Sequence, residues 1–298
     1  MGVVLYHEPS LRQPVMFASW PGIGNVGVLA VDTLRQQLEA EELGQIEPWD
    51  FFYPNRVTIR GGVLDELEFP SSRFYLARLP QRDVLLFVGE EQPSDGGQGY
   101  AEGARAYRMA NLVVDVARRF GCRRIYTSGA AVALTHHSLR PRVWAVASSR
   151  SLLAELKRYP GTVLMSEVEG RGNIGSITGL NGLLIGVARQ HDLEGICLMG
   201  EVPDYLSRVP FPYPRAARSV VEVFAAILGI SPDLSALDEM ARQMETVIAN
   251  VYQQFPAEVR ERIDQRQQEA RAGGITEEDK KWIQEHIDEL FKKGEDRQ

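Results

Sequence analysis

Val15-Met-Phe-Ala-Ser-Trp20, followed at once by Pro21-Gly-Ile-Gly-Asn-Val-Gly27, is the stretch whose reading decides the fold. Its first half is apolar on consecutive positions, as in a strand covered on both faces of a sheet. Its second half is a glycine-rich turn that runs into a helix-period segment. Working outward, strands are expected at Val15–Trp20, Arg73–Leu79, Val84–Gly89, Arg124–Ser128, Val143–Ala147 and Gly195–Gly200. Helical stripes lie between them. Tyr100–Phe120 carries Ala104, Tyr107, Val113, Val114 and Ala117 on one face and stops at Gly121. Leu180, Leu183, Leu184, Val187 and Ala188 form a second stripe. A third (Ala217, Val220, Val221, Phe224, Ile227, Leu228) opens at Pro214 and closes at Gly229. Alternating β and α units of this length predict a three-layer α/β/α domain over residues 1–230, with a mostly parallel sheet. Residues 46–64 are less regular and suggest extra strands or a hairpin around Asn55 and Gly61-Gly62.

After Gly229 the character changes, and residues 231–298 are expected to form an acidic helical extension. Leu234, Leu237, Ala241, Met244, Ile248, Val251 and Phe255 recur at alternating steps of three and four, an a/d seam ended by Pro256. A weaker helix runs to Ala272, and Thr276-Glu-Glu-Asp279 reads as a capping box for a last one. The seam has two readings of equal weight: a helical hairpin folded back on its own domain, or a subunit contact through Leu237, Met244, Ile248 and Val251.

Charge and cysteine usage exclude several classes. The net charge is −7, of which the extension holds −6, so neither part has the positive face that neutralises phosphates. Nucleic acid is therefore not an expected partner. The longest apolar runs, such as Val84–Val88, are strand-sized, and the first residues show no basic region followed by an apolar one. No membrane span or signal peptide is expected, and the cytoplasm is the expected compartment. Two isolated cysteines, Cys122 and Cys197, read as packing thiols in a reducing compartment. His136-His137 are adjacent and should diverge on either a helix or a strand, so no metal site is expected.

Gly22-Ile-Gly-Asn-Val-Gly27 matches a dinucleotide fingerprint, with Asp50 a little over twenty residues on. Pro21 and the aromatic run around Asp50 favour the structural reading instead, a turn that lets a helix pack tightly on the sheet. No cofactor is expected. Other loops fall at strand ends: Gly89-Glu90-Glu91, Ser128-Gly129-Ala130-Ala131, the segment 172–182 that opens the Leu180 helix, and Glu201–Tyr205. In a parallel sheet these ends share one rim, where ligands bind. Asn25, Glu90, Glu91, Ser128, Gly129, Asn181, Glu201 and Tyr205 are the candidate ligand-binding residues. Asn25 and Asn181 stand near helix starts that favour an anion, and the glutamates are candidate acid/base groups. The competing reading, given slightly more weight, makes the glycines turn formers and the glutamates solvated or capping groups. No catalytic set is assigned.

Taken together, Phe17–Gly27 (FASWPGIGNVG), Ser128–Ala131 (SGAA), Gly175–Gly186 (GSITGLNGLLIG), Gly200–Tyr205 (GEVPDY) and the helix from Pro214 to Leu228–Ile230 (LGI) resemble the proteasome assembly chaperone 2 family. The resemblance spans roughly residues 14–230. It implies a fold like that of the nucleoside phosphorylases, a homo-oligomer with a trimer or larger ring favoured, and a protein-binding role in some relatives. It carries over no catalytic residues. Archaeal relatives that engage the proteasome cylinder use a tail ending hydrophobic-Tyr-any, whereas this chain ends Gly-Glu-Asp-Arg-Gln298, so that docking mode is not expected. Two functions follow: a homo-oligomeric chaperone-like interaction module, or a small-molecule enzyme or binder that takes a nucleotide, nucleoside or other anion at the rim.

Overall fold

The computed structural model describes residues 2–95, 103–168 and 175–272; the expected helix after Thr276 lies outside them. The elements run β1 (Val3–Leu5), β2 (Val15–Ser19), α1 (Val26–Gln37), β3 (Glu41–Ile46), β4 (Arg56–Arg60), β5 (Val63–Glu68), β6 (Ser72–Arg78) and β7 (Asp83–Gly89). They continue with α2 (Gly103–Arg119), β8 (Arg124–Ala133), β9 (Val143–Ala147), α3 (Leu153–Leu156), β10 (Thr162–Leu164), α4 (Leu180–Gln190) and β11 (Glu194–Pro203). Three helices close the chain: α5 (Pro214–Leu228), α6 (Ser235–Gln253) and α7 (Ala257–Ala272). Among the described residues no helix is long and apolar enough to cross a membrane.

Nine strands form one sheet in the order β1-β3-β6-β7-β2-β8-β11-β9-β10. Its centre, β7-β2-β8-β11, is parallel, because helical crossovers join these strands. Antiparallel pairs join the flanks to it, β1–β3–β6–β7 on one side and β11–β9 on the other, while the outermost β9–β10 pair is parallel. β6 and β7 are joined by a short turn, which permits no parallel pairing. Alternate residues of β2 feed two cores. Val15 and Phe17 pack under α1 and α5, whereas Met16 and Ala18 pack under α2 and α4. The result is the three-layer α/β/α fold with helices added at its C-terminal end.

Three expectations about elements need correction. Ser128–Ala131 and Glu201–Pro203 do not leave the sheet. They are the second halves of β8 and β11, which pair in parallel for their full lengths. The small residues that suggested a turn are held straight by ladder hydrogen bonds. The stripe on α2 is also rotated: Ala104 and Tyr107 are exposed, and Ala106, Met109 and Ala110 take the buried face beside Val113, Val114 and Ala117. The hairpin expected in the irregular stretch is present as β4–β5, and it stands apart from the main sheet. Gly61 and Gly62 have φ of 60° and 82°, the two left-handed positions of a tight hairpin turn.

The a/d seam is packed within the chain. Leu237 and Ile248 are 3% and 2% exposed and join the core beneath α5, with Met244 and Val251 half-buried at its margin. Then α7 folds back. Arg266 donates to Asp204 at 2.5 Å, and the Tyr252 hydroxyl donates to Asp264 at 2.6 Å.

Candidate functional site

The cavity of interest opens where the turn after β2, the second halves of β8 and β11, and the start of α4 meet. Its volume is about 190 Å³. The first turn is built by its glycines. Gly24 has φ 58°, and an added Cβ would stand 2.8 Å from Cβ of Tyr213, whose backbone N–H donates to the Gly24 carbonyl. A Cβ on Gly27 would stand 2.2 Å from the Ser128 carbonyl oxygen, so this glycine lets α1 press onto β8. Gly24 and Gly27 thus serve chain packing, and Tyr213 occupies the space beside the turn. Asp50 is bound to Arg108 of α2 at 2.9 Å. Since α2 covers the face opposite α1, that carboxylate cannot reach a ribose held at the α1 terminus.

Two neutral amides knit the loops together. Asn181, on the first turn of α4, accepts from the Trp20 N–H at 3.2 Å and donates to the Trp20 carbonyl at 3.4 Å. Gln92, which follows β7, donates to the Pro21 carbonyl at 2.5 Å and accepts from the Leu180 N–H at 2.9 Å. Thr127 adds a bond to the Asn181 carbonyl at 2.8 Å. These contacts satisfy backbone groups that would otherwise be orphaned at a strand end and a helix start. Gln92 escaped the sequence reading, because a lone amide beside Pro93 carries no pattern.

Of the candidate residues, Gly129 and Asn181 line this cavity. Asn25 is exposed in a left-handed conformation at the start of α1. Ser128 is fully buried, its hydroxyl without a partner among the described residues and its carbonyl accepting from Ser19. Glu90 and Glu91 lie toward the hairpin base, where Glu90 accepts from the Ser71 N–H and Glu91 from the Asn55 amide. Glu201, 2% exposed, accepts from the Arg142 N–H at 3.0 Å, the Arg142 guanidinium at 2.9 Å and the Trp144 indole at 2.6 Å. It fastens β11 to β9. The eight therefore do not converge on one concave site, and the two central glutamates are engaged in holding elements together.

Tyr205 belongs to a separate aromatic cluster. Its hydroxyl accepts from the His137 N–H at 2.9 Å and lies 2.8 Å from His137 Nδ1. The rings of His136 and His137 do not diverge. Their centroids lie 4.1 Å apart with the rings tilted by 32°, in the turn after β8, because a turn lacks the alternation of a strand. Burial first, then the neighbouring His136 and Arg215, push His137 down to about 4. Tyr252 of α6 and Phe255 in the turn between α6 and α7 close over this cluster. Among the described residues no group of three or more histidine, cysteine, aspartate or glutamate side chains could hold a metal.

Among the described residues no charged side chain lines the cavity; Trp144, Met165, Ile177, Cys197 and Met199 are among its apolar walls. Complete burial raises the Cys197 thiol to about 11, which keeps it protonated near neutral pH. The volume falls below the roughly 300–1,000 Å³ of ordinary ligand pockets. The space is suited to a small neutral group and far too small for a dinucleotide.

The sequence profile of the PAC2 family matches residues 16–251. An uncharacterized protein of Methanocaldococcus jannaschii is 27% identical over 244 residues, covering 82% of this chain and 84% of that one. The crystal structure of Pyrococcus furiosus PbaB, described as an archaeal proteasome activator, superposes with a TM-score of 0.68. That match has 28% identity and covers 84% of this chain and 97% of PbaB. A proteasome-assembly chaperone homologue from Mycobacterium tuberculosis superposes with a TM-score of 0.62 at 20% identity, over 79% of this chain and 94% of that one, and shows the shared fold alone.

Proposed function

This chain belongs to the PAC2 family, and on that premise we propose that it works as a homo-oligomeric, chaperone-like protein-interaction module of the cytoplasm. The observation that carries the reading is the likeness to PbaB, which runs over nearly all of that protein. A proteasome or one of its assembly intermediates is the partner that PbaB's description suggests. The site chemistry agrees with a binding role. Glu201 is engaged by Arg142 and Trp144, Glu90 by a backbone amide, and among the described residues the cavity has no charged wall. An acid/base pair has no place to meet a substrate there. We treat residues 231–298 as an appendage of the 1–230 core and favour a trimer or larger ring. Native mass spectrometry of the chain purified gently from its own cells tests the reading. Co-purifying copies of the chain with a second protein are expected. A monomer carrying one stoichiometric small molecule would overturn it.

A further inference from the structure

Among the described residues, the glycines that stand in strands of the main sheet are Gly44, Gly89, Gly129, Gly195 and Gly200. Packing requires all but one of them. An added Cβ would lie 2.3 Å from the Val4 carbonyl oxygen at Gly44, 2.3 Å from the Trp20 ring at Gly89, 2.8 Å from Ile185 at Gly195 and 2.7 Å from the Ala216 carbonyl oxygen at Gly200. Gly129 is different. Its φ is not positive, and a Cβ there meets a single atom within 4 Å, Nδ2 of Asn181, at 3.8 Å. A glycine weakens a strand that has no conformational need of it, and it often marks a place where a ligand comes close. The space that Gly129 leaves open belongs to the cavity of about 190 Å³.

That cavity lies along an edge of β8. Gly129, Ala130, Ala131 and Val132 all line it, and consecutive strand residues share an edge, since their side chains alternate between faces. β11 pairs with β8 along its whole length, whereas β2 pairs with it only from Met16–Ile125 to Ala18–Thr127. The Ser128 carbonyl accepts from Ser19 of β2. Two residues on, strand alternation turns the N–H and C=O of Ala130 to the same side, past the last residue of β2 that pairs with β8. Asn181 adds a donor. Its side chain is 8% exposed, and its Nδ2 carries two N–H groups, of which the Trp20 carbonyl takes one, at 3.4 Å. This is the same atom that stands nearest the space beside Gly129.

Size and polarity choose the ligand. An apolar cavity of about 150 Å³ holds benzene, so this one takes a single ring. A charged ligand finds no counter-charge among the described lining residues, and burying it unpaired is costly. The polar side offers donors from Ala130 and Asn181 and an acceptor from Ala130. We propose that the cavity binds a small neutral cyclic amide or imide. Its carbonyl oxygens accept from the Ala130 N–H and Asn181 Nδ2, and its N–H donates to the Ala130 carbonyl. Gly129 makes room for it. The site is complete within one copy, so it does not depend on the homo-oligomer reading.

Saturation-transfer NMR and calorimetry of the full chain test this with probes of one-ring size. They are 2-pyridone, a neutral lactam; benzoate, an anion of similar shape; and toluene, which has no polar edge. 2-Pyridone should bind, with benzoate and toluene each weaker by about tenfold. Gly129→Val puts a branched side chain into the cavity. It should weaken 2-pyridone by about tenfold or more, with a melting temperature equal to or above that of the wild type. Gly129→Ala should weaken it less, and it carries the test should the valine variant not fold. Unchanged affinity in these variants would overturn the inference, as would no binding of 2-pyridone or equal binding of toluene or benzoate. Preference for N-acetylalanine methylamide, an extended peptide unit, over 2-pyridone would assign the edge to a partner's strand and overturn it too. A chain that scatters as a monomer and still binds 2-pyridone would keep this site and fail the oligomer reading alone.

Discussion

Gly22 and Gly27 stand five residues apart in one motif and meet different surroundings. A Cβ on Gly22 finds nothing within 4 Å, whereas one on Gly27 meets the Ser128 carbonyl and the Ser19 hydroxyl. Gly22→Ala should therefore change stability by no more than about 0.5 kcal/mol, and Gly27→Ala should cost roughly 3 kcal/mol by lifting α1 off the sheet. Urea unfolding of both variants checks this; equal effects would mean that the motif does not serve helix packing. His137 supplies a pH dependence. An unfolded histidine titrates near about 6.5, and burial holds this one at about 4, so between these values the unfolded chain binds more protons. Stability should be flat above neutral pH and fall on acidification through that window. The melting temperature of His137→Gln should fall less than that of the wild type over the same range. Parallel profiles would place the acid sensitivity elsewhere.

At the scale of elements, the seam on α6 makes a sharp prediction. Leu237→Ala and Ile248→Ala remove buried side chains and should each cost about 2–5 kcal/mol of unfolding free energy, whatever the protein concentration. Met244→Ala and Val251→Ala, at half-buried positions, should cost less. Destabilisation that appears only as an oligomer dissociates would assign the seam to a subunit contact instead. The seam itself was readable from its spacing, but its destination was not, since a/d periodicity looks the same against α5 or a neighbour. Strand cores such as Val15–Ser19 and Val143–Ala147 were legible because buried parallel strands are apolar throughout. The ends of β8 and β11 were not. Ser128-Gly-Ala-Ala carries turn residues, and only the ten-residue ladder between two distant segments holds it extended. Strands β1 and β3 were missed because Val3–Leu5 is short and Glu41–Ile46 is partly polar. For the site, Asn181 was found from its helix start. Glu201 was misplaced by the same error that ended β11 too early, and its partners Arg142 and Trp144 lie on another strand.

For the whole molecule, the parallel centre creates a rim, and this chain fills much of it with its own groups. Tyr213 occupies the space beside the first turn, Asn181 and Gln92 knit the loops, and α6 and α7 cover Tyr205 and His137. What the fold leaves open there is the small cavity beside Gly129. The central claim is that this chain acts as an assembly of copies. Static light scattering of the full chain at micromolar concentration and physiological salt tests it most directly. The expected result is a mass of at least three times the 33.3 kDa chain, and a mass of 33.3 kDa alone would contradict it.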